Sequence, residues 1–269
     1  MCQQSTTLPD VFVVGAAKSG TTAIHQYFRA HPQVFVPGTI KETNYMAFFD
    51  GLPRLAGPRD AQVLEGSITN LAAYRALYAA RSCEAAAVDV SPAYLYYPQA
   101  PAKIAELCPR AKIVIVLRNP AEAAFSMYAM MRRDRRERCG QFWRAFEQSS
   151  LRIAAGWEWA WDYQGCFRYA PQVARYLDRF PASQLFIRRY EELRDTPEQF
   201  YGALAQFLEI SPIDLRQANR PWNVAPPRHA EPKPRRTIAV ARGAFHSLVD
   251  AAVLARSAAR GAGSPGTGP

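Results

Sequence analysis

The stretch from Val11 to Ile24, VFVVGAAKSGTTAI, constrains this chain more than any other. Val11 to Val14 form a short apolar run that ends abruptly at Gly15. From Thr22 to Ala30, Ile24, Tyr27 and Phe28 recur on one helical face until His31-Pro32 stops the pattern. A buried strand that feeds a glycine turn and then a helix is the opening unit of a parallel α/β sheet. Such a loop aims backbone N–H groups at an anion, and the helix behind it adds the positive end of its dipole. Gly15 and Gly20 permit the tight backbone, Ser19, Thr21 and Thr22 offer hydroxyls, and Lys18 supplies a full charge. The segment reads as a phosphate cradle.

Later segments repeat the alternation. Val34 to Val36 is a second short strand, turned by Pro37-Gly38, and Ala86 to Val90 is a third, closed by Ser91-Pro92. Lys112 to Leu117, KIVIVL, is the clearest central strand, with four β-branched residues in six. A helical pattern follows from Ala121 to Met131, then a strand from Leu185 to Ile187. A helix from Pro197 to Leu208 carries Phe200, Leu204, Phe207 and Leu208 at helical spacing. This order predicts an α/β domain over residues 8–258 with a central, mostly parallel sheet covered on both faces. A chain of 269 residues, 49% of them hydrophobic, has enough apolar side chains for one such core. The proline- and arginine-rich run from Pro221 to Arg236 is expected to be an irregular segment wrapping the surface. Residues 259–269 are expected to be a disordered tail.

A net charge of +10 points to anionic partners: nucleic acid, nucleotides, phosphosugars or acidic glycans. The run RRDRRER, Arg132 to Arg138, reads as a solvated helix face or as an electrostatic surface for an acidic acceptor. The five cysteines, Cys2, Cys83, Cys108, Cys139 and Cys166, contain no C-x-x-C pair, which argues against a disulfide framework and against a zinc site. His25, His31, His229 and His246 have no nucleophile or metal spacing. The first ten residues lack the features of a signal peptide, and nowhere do ~18 consecutive apolar residues occur, so a cytoplasmic protein is expected.

A Walker A loop is G-x-x-x-x-G-K-S/T, with lysine after the second glycine. Here Gly15 and Gly20 have that spacing, but Lys18 stands two residues before Gly20 and Thr21 follows it. Kinases also need a metal-binding carboxylate at a neighbouring strand end, whereas KIVIVL ends in Arg118-Asn119-Pro120. That arginine suits a further phosphate better than a metal. GAAKSGTTAI resembles the 5′-phosphosulfate loop of sulfotransferases that use 3′-phosphoadenosine-5′-phosphosulfate (PAPS). IVLRNPAEAAFSMY resembles their 3′-phosphate segment, an arginine at a strand end followed eight residues later by a helical serine. KETNYM, DVSPAYL and YQGCFRYAPQVARYLDRFPASQLFIRRYEEL extend the similarity from Val11 to Leu208. It is nearest to the branch with bacterial sulfotransferases and the domains that modify heparan sulfate.

The resemblance implies a fold like that of P-loop nucleotide kinases, PAPS as donor, PAP as product and no metal. It implies that Lys18 meets the oxygen bridging phosphate and sulfur, and that Ser19, Gly20, Thr21 and Thr22 hold the 5′-phosphate. Arg118 and Ser126 would hold the 3′-phosphate, and Arg235 or Arg236 would join them from a C-terminal loop. Glu42 takes the position of the general base, with Asp89 as an alternative or assisting base, or else a structural strand-end aspartate. Lys41 either orients the phosphosulfate or substrate or is an exposed lysine. Two positions depart from the heparan-type pattern, Asn44 in place of a histidine and Val90 in place of a lysine, and both weaken the case for a heparan-like glycan. The expected acceptor is a small molecule or glycan, a carbohydrate, lipid or secondary metabolite, with no nucleic acid and no membrane span. A metal-dependent nucleotide or sugar kinase and a non-catalytic basic relative that binds nucleic acid or another polyanion are the rival readings.

Overall fold

A computed structural model describes residues 7–38 and 40–215. The expected segment from Pro221 to Arg236, with Arg235 and Arg236, and the expected tail over 259–269 lie outside the described residues.

The chain opens with strand β1 (Val11–Gly15), helix α1 (Thr21–Ala30) and the two-residue strand β2 (Val34–Phe35). Three short helices follow, α2 (Tyr45–Phe48), α3 (Asp60–Leu64) and α4 (Leu71–Ala76), and then β3 (Ala86–Val90). Helices α5 (Ala93–Tyr96) and α6 (Ala100–Leu107) lead to β4 (Lys112–Leu117), the long helix α7 (Pro120–Arg133), α8 (Phe142–Glu147) and α9 (Ser149–Ala154). The described part closes with α10 (Tyr169–Leu177), β5 (Leu185–Arg189), α11 (Tyr190–Asp195) and α12 (Pro197–Leu208). The five strands form one parallel sheet in the order β2-β3-β1-β4-β5.

Side chains on a strand alternate between faces, and here each face carries its own core. Phe12, Val14, Ile113, Ile115, Leu117, Leu185 and Ile187 point to one side, where Tyr94 of α5, Ile104 of α6, Met127 of α7 and Tyr176 of α10 cover them. Val11, Val13, Val88, Val114, Val116 and Phe186 point to the other, under Ile24, Tyr27 and Phe28 of α1 and Phe200, Leu204, Phe207 and Leu208 of α12. The expected helical faces are therefore the buried ones. β1 lies between β3 and β4, so the chain leaves it at the point where strand order reverses, the place where open α/β sheets bind ligands.

The arginine run departs from expectation. Helix α7 stops at Arg133, and Arg135 takes a left-handed conformation (φ 57°) that turns the chain inward. Arg136 is then buried between Asp60 (2.7 Å) and Glu158 (2.6 Å), both nearly solvent-free. Glu137 is buried against Arg152 and the Tyr163 hydroxyl. A buried charge is tolerated only when paired and hydrogen-bonded, and this network supplies both. Of the arginines in the run, Arg132, Arg133, Arg135 and Arg138 are exposed.

Candidate active site

The loop after β1 is fixed by its neighbours. Ala16 N–H donates to the Val116 carbonyl on β4 (2.6 Å), and Ser91 N–H to the Val13 carbonyl (3.1 Å). Gly20, which precedes α1, has φ 85°, and a Cβ there would sit 2.5 Å from the Leu193 side chain, so only glycine fits. No side chain caps α1 and no acidic residue stands in its first turn. The first N–H groups of a helix have no intrahelical partner, so an uncapped, acid-free start offers donors and a positive dipole end to an anion.

Lys18 takes a left-handed backbone conformation (φ 61°), and its ammonium rests 3.3 Å from Met130 Sδ on α7. Among the described residues it makes no ion pair. Burial, then the field of Arg133, together with Lys41 and Arg118, holds its pKa below the ordinary lysine value, with Asp134 opposing. A cation so poorly compensated is primed for an incoming anion.

Arg118 stands at the end of β4. Its Nη1 donates to the Lys18 carbonyl (3.3 Å), its Nη2 lies 3.4 Å from Glu122, and its guanidinium stacks 4.8 Å over the Tyr190 ring. Its Nε is buried with no partner. Asn119 caps α7 by accepting from the Ala121 and Glu122 N–H groups. Ser126 is half-buried one helical turn beyond Glu122, on the same side of α7 as the carboxylate that Arg118 reaches. The structure thus places the loop of Lys18, Ser19, Gly20, Thr21 and Thr22 and the Arg118–Ser126 segment at one end of the sheet.

The second loop is built around Asp89. Its Oδ2 accepts from Thr43 (2.7 Å), Tyr74 (2.7 Å) and Tyr94 (2.8 Å), and its Oδ1 from Ser91 (2.7 Å). Burial raises its pKa while these four hydroxyls oppose the rise. Fully buried and saturated with donors, Asp89 has a geometry for holding Thr43 in place rather than for taking a proton from a substrate or binding a metal. Beside Thr43, Glu42 and Lys41 form a half-exposed ion pair (2.7 Å), and Lys41 Nζ also donates to the Thr22 hydroxyl (3.2 Å). Asn44, left-handed at φ 54°, donates through Nδ2 to Ser67 (3.1 Å) and so ties its loop to the segment before α4.

Sequence reasoning gave no role to Met130, Glu122 or Tyr190, all of which touch Lys18 or Arg118. The YEEL stretch was a visible signal for Tyr190; Met130 had none, because its position depends on where α7 passes the loop. Among the described residues no cluster of three or more His, Cys, Asp or Glu is arranged for a metal, and no helix is long and apolar enough to cross a membrane.

The sequence model described as Sulfotransferase family matches residues 9–214. A bifunctional heparan sulfate N-deacetylase/N-sulfotransferase 1 of Caenorhabditis elegans is 27% identical over 76% of this chain, which spans only 22% of that protein's length. The crystal structure of a sulfotransferase from Alicyclobacillus acidocaldarius is 30% identical, with a TM-score of 0.73, covering 93% of this chain and 94% of that one. A mouse sulfotransferase complexed with PAP shares the fold at 16% identity and a TM-score of 0.50, over 84% of this chain and 68% of its own.

Proposed function

The chain belongs to the sulfotransferase family, and we propose that it transfers the sulfuryl group of PAPS to a hydroxyl or amine of a carbohydrate, lipid or secondary metabolite, releasing PAP. The acceptor oxygen or nitrogen attacks sulfur, the bond from sulfur to the bridging oxygen breaks, and the electron pair leaves with PAP. Negative charge grows on the bridging oxygen, and Lys18 stabilises it there more in the transition state than in the ground state. The Ser19 to Thr22 segment holds the 5′-phosphate through backbone amides and hydroxyls. Arg118 holds the 3′-phosphate with its planar donor fork, assisted by Ser126. Glu42 takes the acceptor proton, a role worth about 10²–10⁴-fold in rate. No metal is required for this chemistry.

The observation that carries the reading is the bond from Arg118 to the Lys18 carbonyl, which joins the two segments assigned to the phosphates at one sheet end. The Caenorhabditis relative's name, a heparan sulfate N-deacetylase/N-sulfotransferase, favours a carbohydrate among the acceptors, whereas Asn44 and Val90 keep a heparan-like chain from being the first choice. Incubation with PAPS and a panel of sugars, lipids and phenols, read by mass spectrometry, tests the proposal. A product heavier by one sulfuryl group, formed with stoichiometric PAP and without added metal, is expected. Phosphorylated products from ATP and Mg²⁺, with none from PAPS, would overturn it.

A further inference from the structure

One ammonium serves two groups. Lys41 Nζ donates both to Glu42 Oε1 at 2.7 Å and to Thr22 Oγ1 at 3.2 Å. Thr22 lies in the first turn of α1, in the segment assigned to the 5′-phosphate; Glu42 is the assigned base. The pair is partly open to solvent, with 28% and 39% of the two side chains exposed, so Lys41 can turn without disturbing the core. The loop that carries it is fixed from beneath, because Thr43 is buried and bonded to Asp89. Two other groups whose charge couples to Lys41 are Lys18, which is cationic, and His25, buried on α1 one turn beyond Thr22. Neither offers the ammonium a counter-charge. In the free protein its only anionic partner among the described residues is Glu42.

We propose that Lys41 is a positioning residue that couples donor binding to release of the base, a proposal that rests on the donor reading above. With the loop empty, Lys41 pairs with the Glu42 charge and occupies one of its two carboxylate oxygens, Oε1, which makes the carboxylate a weaker proton acceptor. A 5′-phosphate arriving at Thr22 presents a denser negative charge to the same ammonium, which swings toward it and leaves Glu42 free. Donor binding therefore precedes competence for proton removal, and the base is masked until the sulfuryl group is in place.

PAP affinity in a double-mutant cycle tests the latch, using titration calorimetry on wild type, Lys41→Met, Glu42→Gln and the double variant. Neither substitution empties the core, because both side chains reach solvent. If Glu42 competes with PAP for Lys41, Glu42→Gln tightens PAP binding about threefold in the wild-type background, the scale of an exposed ion pair. The same change in the Lys41→Met background has a clearly smaller effect, because the competition is already gone. Simple charge repulsion predicts the reverse, an effect at least as large once the screening lysine is removed. An equal or larger effect in the Lys41→Met background would overturn the latch alone. Absence of PAP binding to wild type would overturn the latch and the donor reading together.

Discussion

The guanidinium of Arg118 donates to the carbonyl oxygen of Lys18 across 3.3 Å, although the two residues are 100 positions apart in sequence. One side chain therefore braces the backbone of the loop that follows β1 while keeping a buried, unpartnered Nε and a fork at the end of β4.

Arg118→Ala is expected to weaken PAP by about 10- to 100-fold, the value of a charge-assisted hydrogen bond of about 1.5–3 kcal/mol. Arg118→Lys should recover only part of this, because an ammonium cannot both bond the Lys18 carbonyl and offer a planar fork to a phosphate. Calorimetric titration of the three proteins with PAP checks both statements. Equal affinities would separate Arg118 from nucleotide binding.

Lys18→Ala is expected to lower kcat by about 10²–10³-fold, the range for removing one donor aimed at developing charge. PAP affinity should change far less than kcat, since PAP lacks the scissile bond on which Lys18 acts. Steady-state rates with a fixed acceptor, alongside PAP titration, read the two effects separately.

Much of this architecture was legible in the sequence. KIVIVL and VFVV became the adjacent strands β4 and β1, because unbroken β-branched runs have no other place to be buried than a doubly covered parallel sheet. The helix from Pro197 to Leu208 was legible from its own period. The loop and the Arg118 segment could be read because backbone geometry and charge follow local residue types. The inward turn of Arg136 could not. Its partners Asp60 and Glu158 lie far off in the chain, and an R-R-D-R-R-E-R string carries no mark of which arginine will meet them. The donors converging on Asp89 were hidden for the same reason, since Thr43, Tyr74 and Tyr94 come from three separate segments.

Arg136→Met should destabilise the protein by about 3–5 kcal/mol, because it leaves Asp60 and Glu158 as buried carboxylates without their cation. Urea unfolding followed by circular dichroism measures the loss. An exposed neighbour, Arg138→Met, is the control and should change stability by less than about 0.5 kcal/mol.

Stability should also fall in mild acid because of His25. Burial, then the charges of Lys41 and Arg29, pushes its pKa down to about 4, from an ordinary value of 6.5. Between these two values the unfolded chain binds the proton more tightly than the folded one, so stability rises with pH across that window. It is complete above the unfolded value and is lost as pH falls through 6.5 toward 4, by about 1–3 kcal/mol from this group. Urea midpoints at steps across the window should show a shallower slope for His25→Leu than for wild type. An unchanged slope would mean that His25 is solvated in the folded protein.

The assignment of this loop and arginine segment to a 3′-phosphorylated adenine nucleotide is tested directly by titrating the purified protein with PAP in the presence of EDTA. Saturable binding in the micromolar range is expected, one PAP per chain, retained without divalent cation and competed poorly by AMP, which lacks the 3′-phosphate. No heat with PAP, together with binding of ATP that depends on Mg²⁺, would contradict it and make the site that of a metal-dependent kinase.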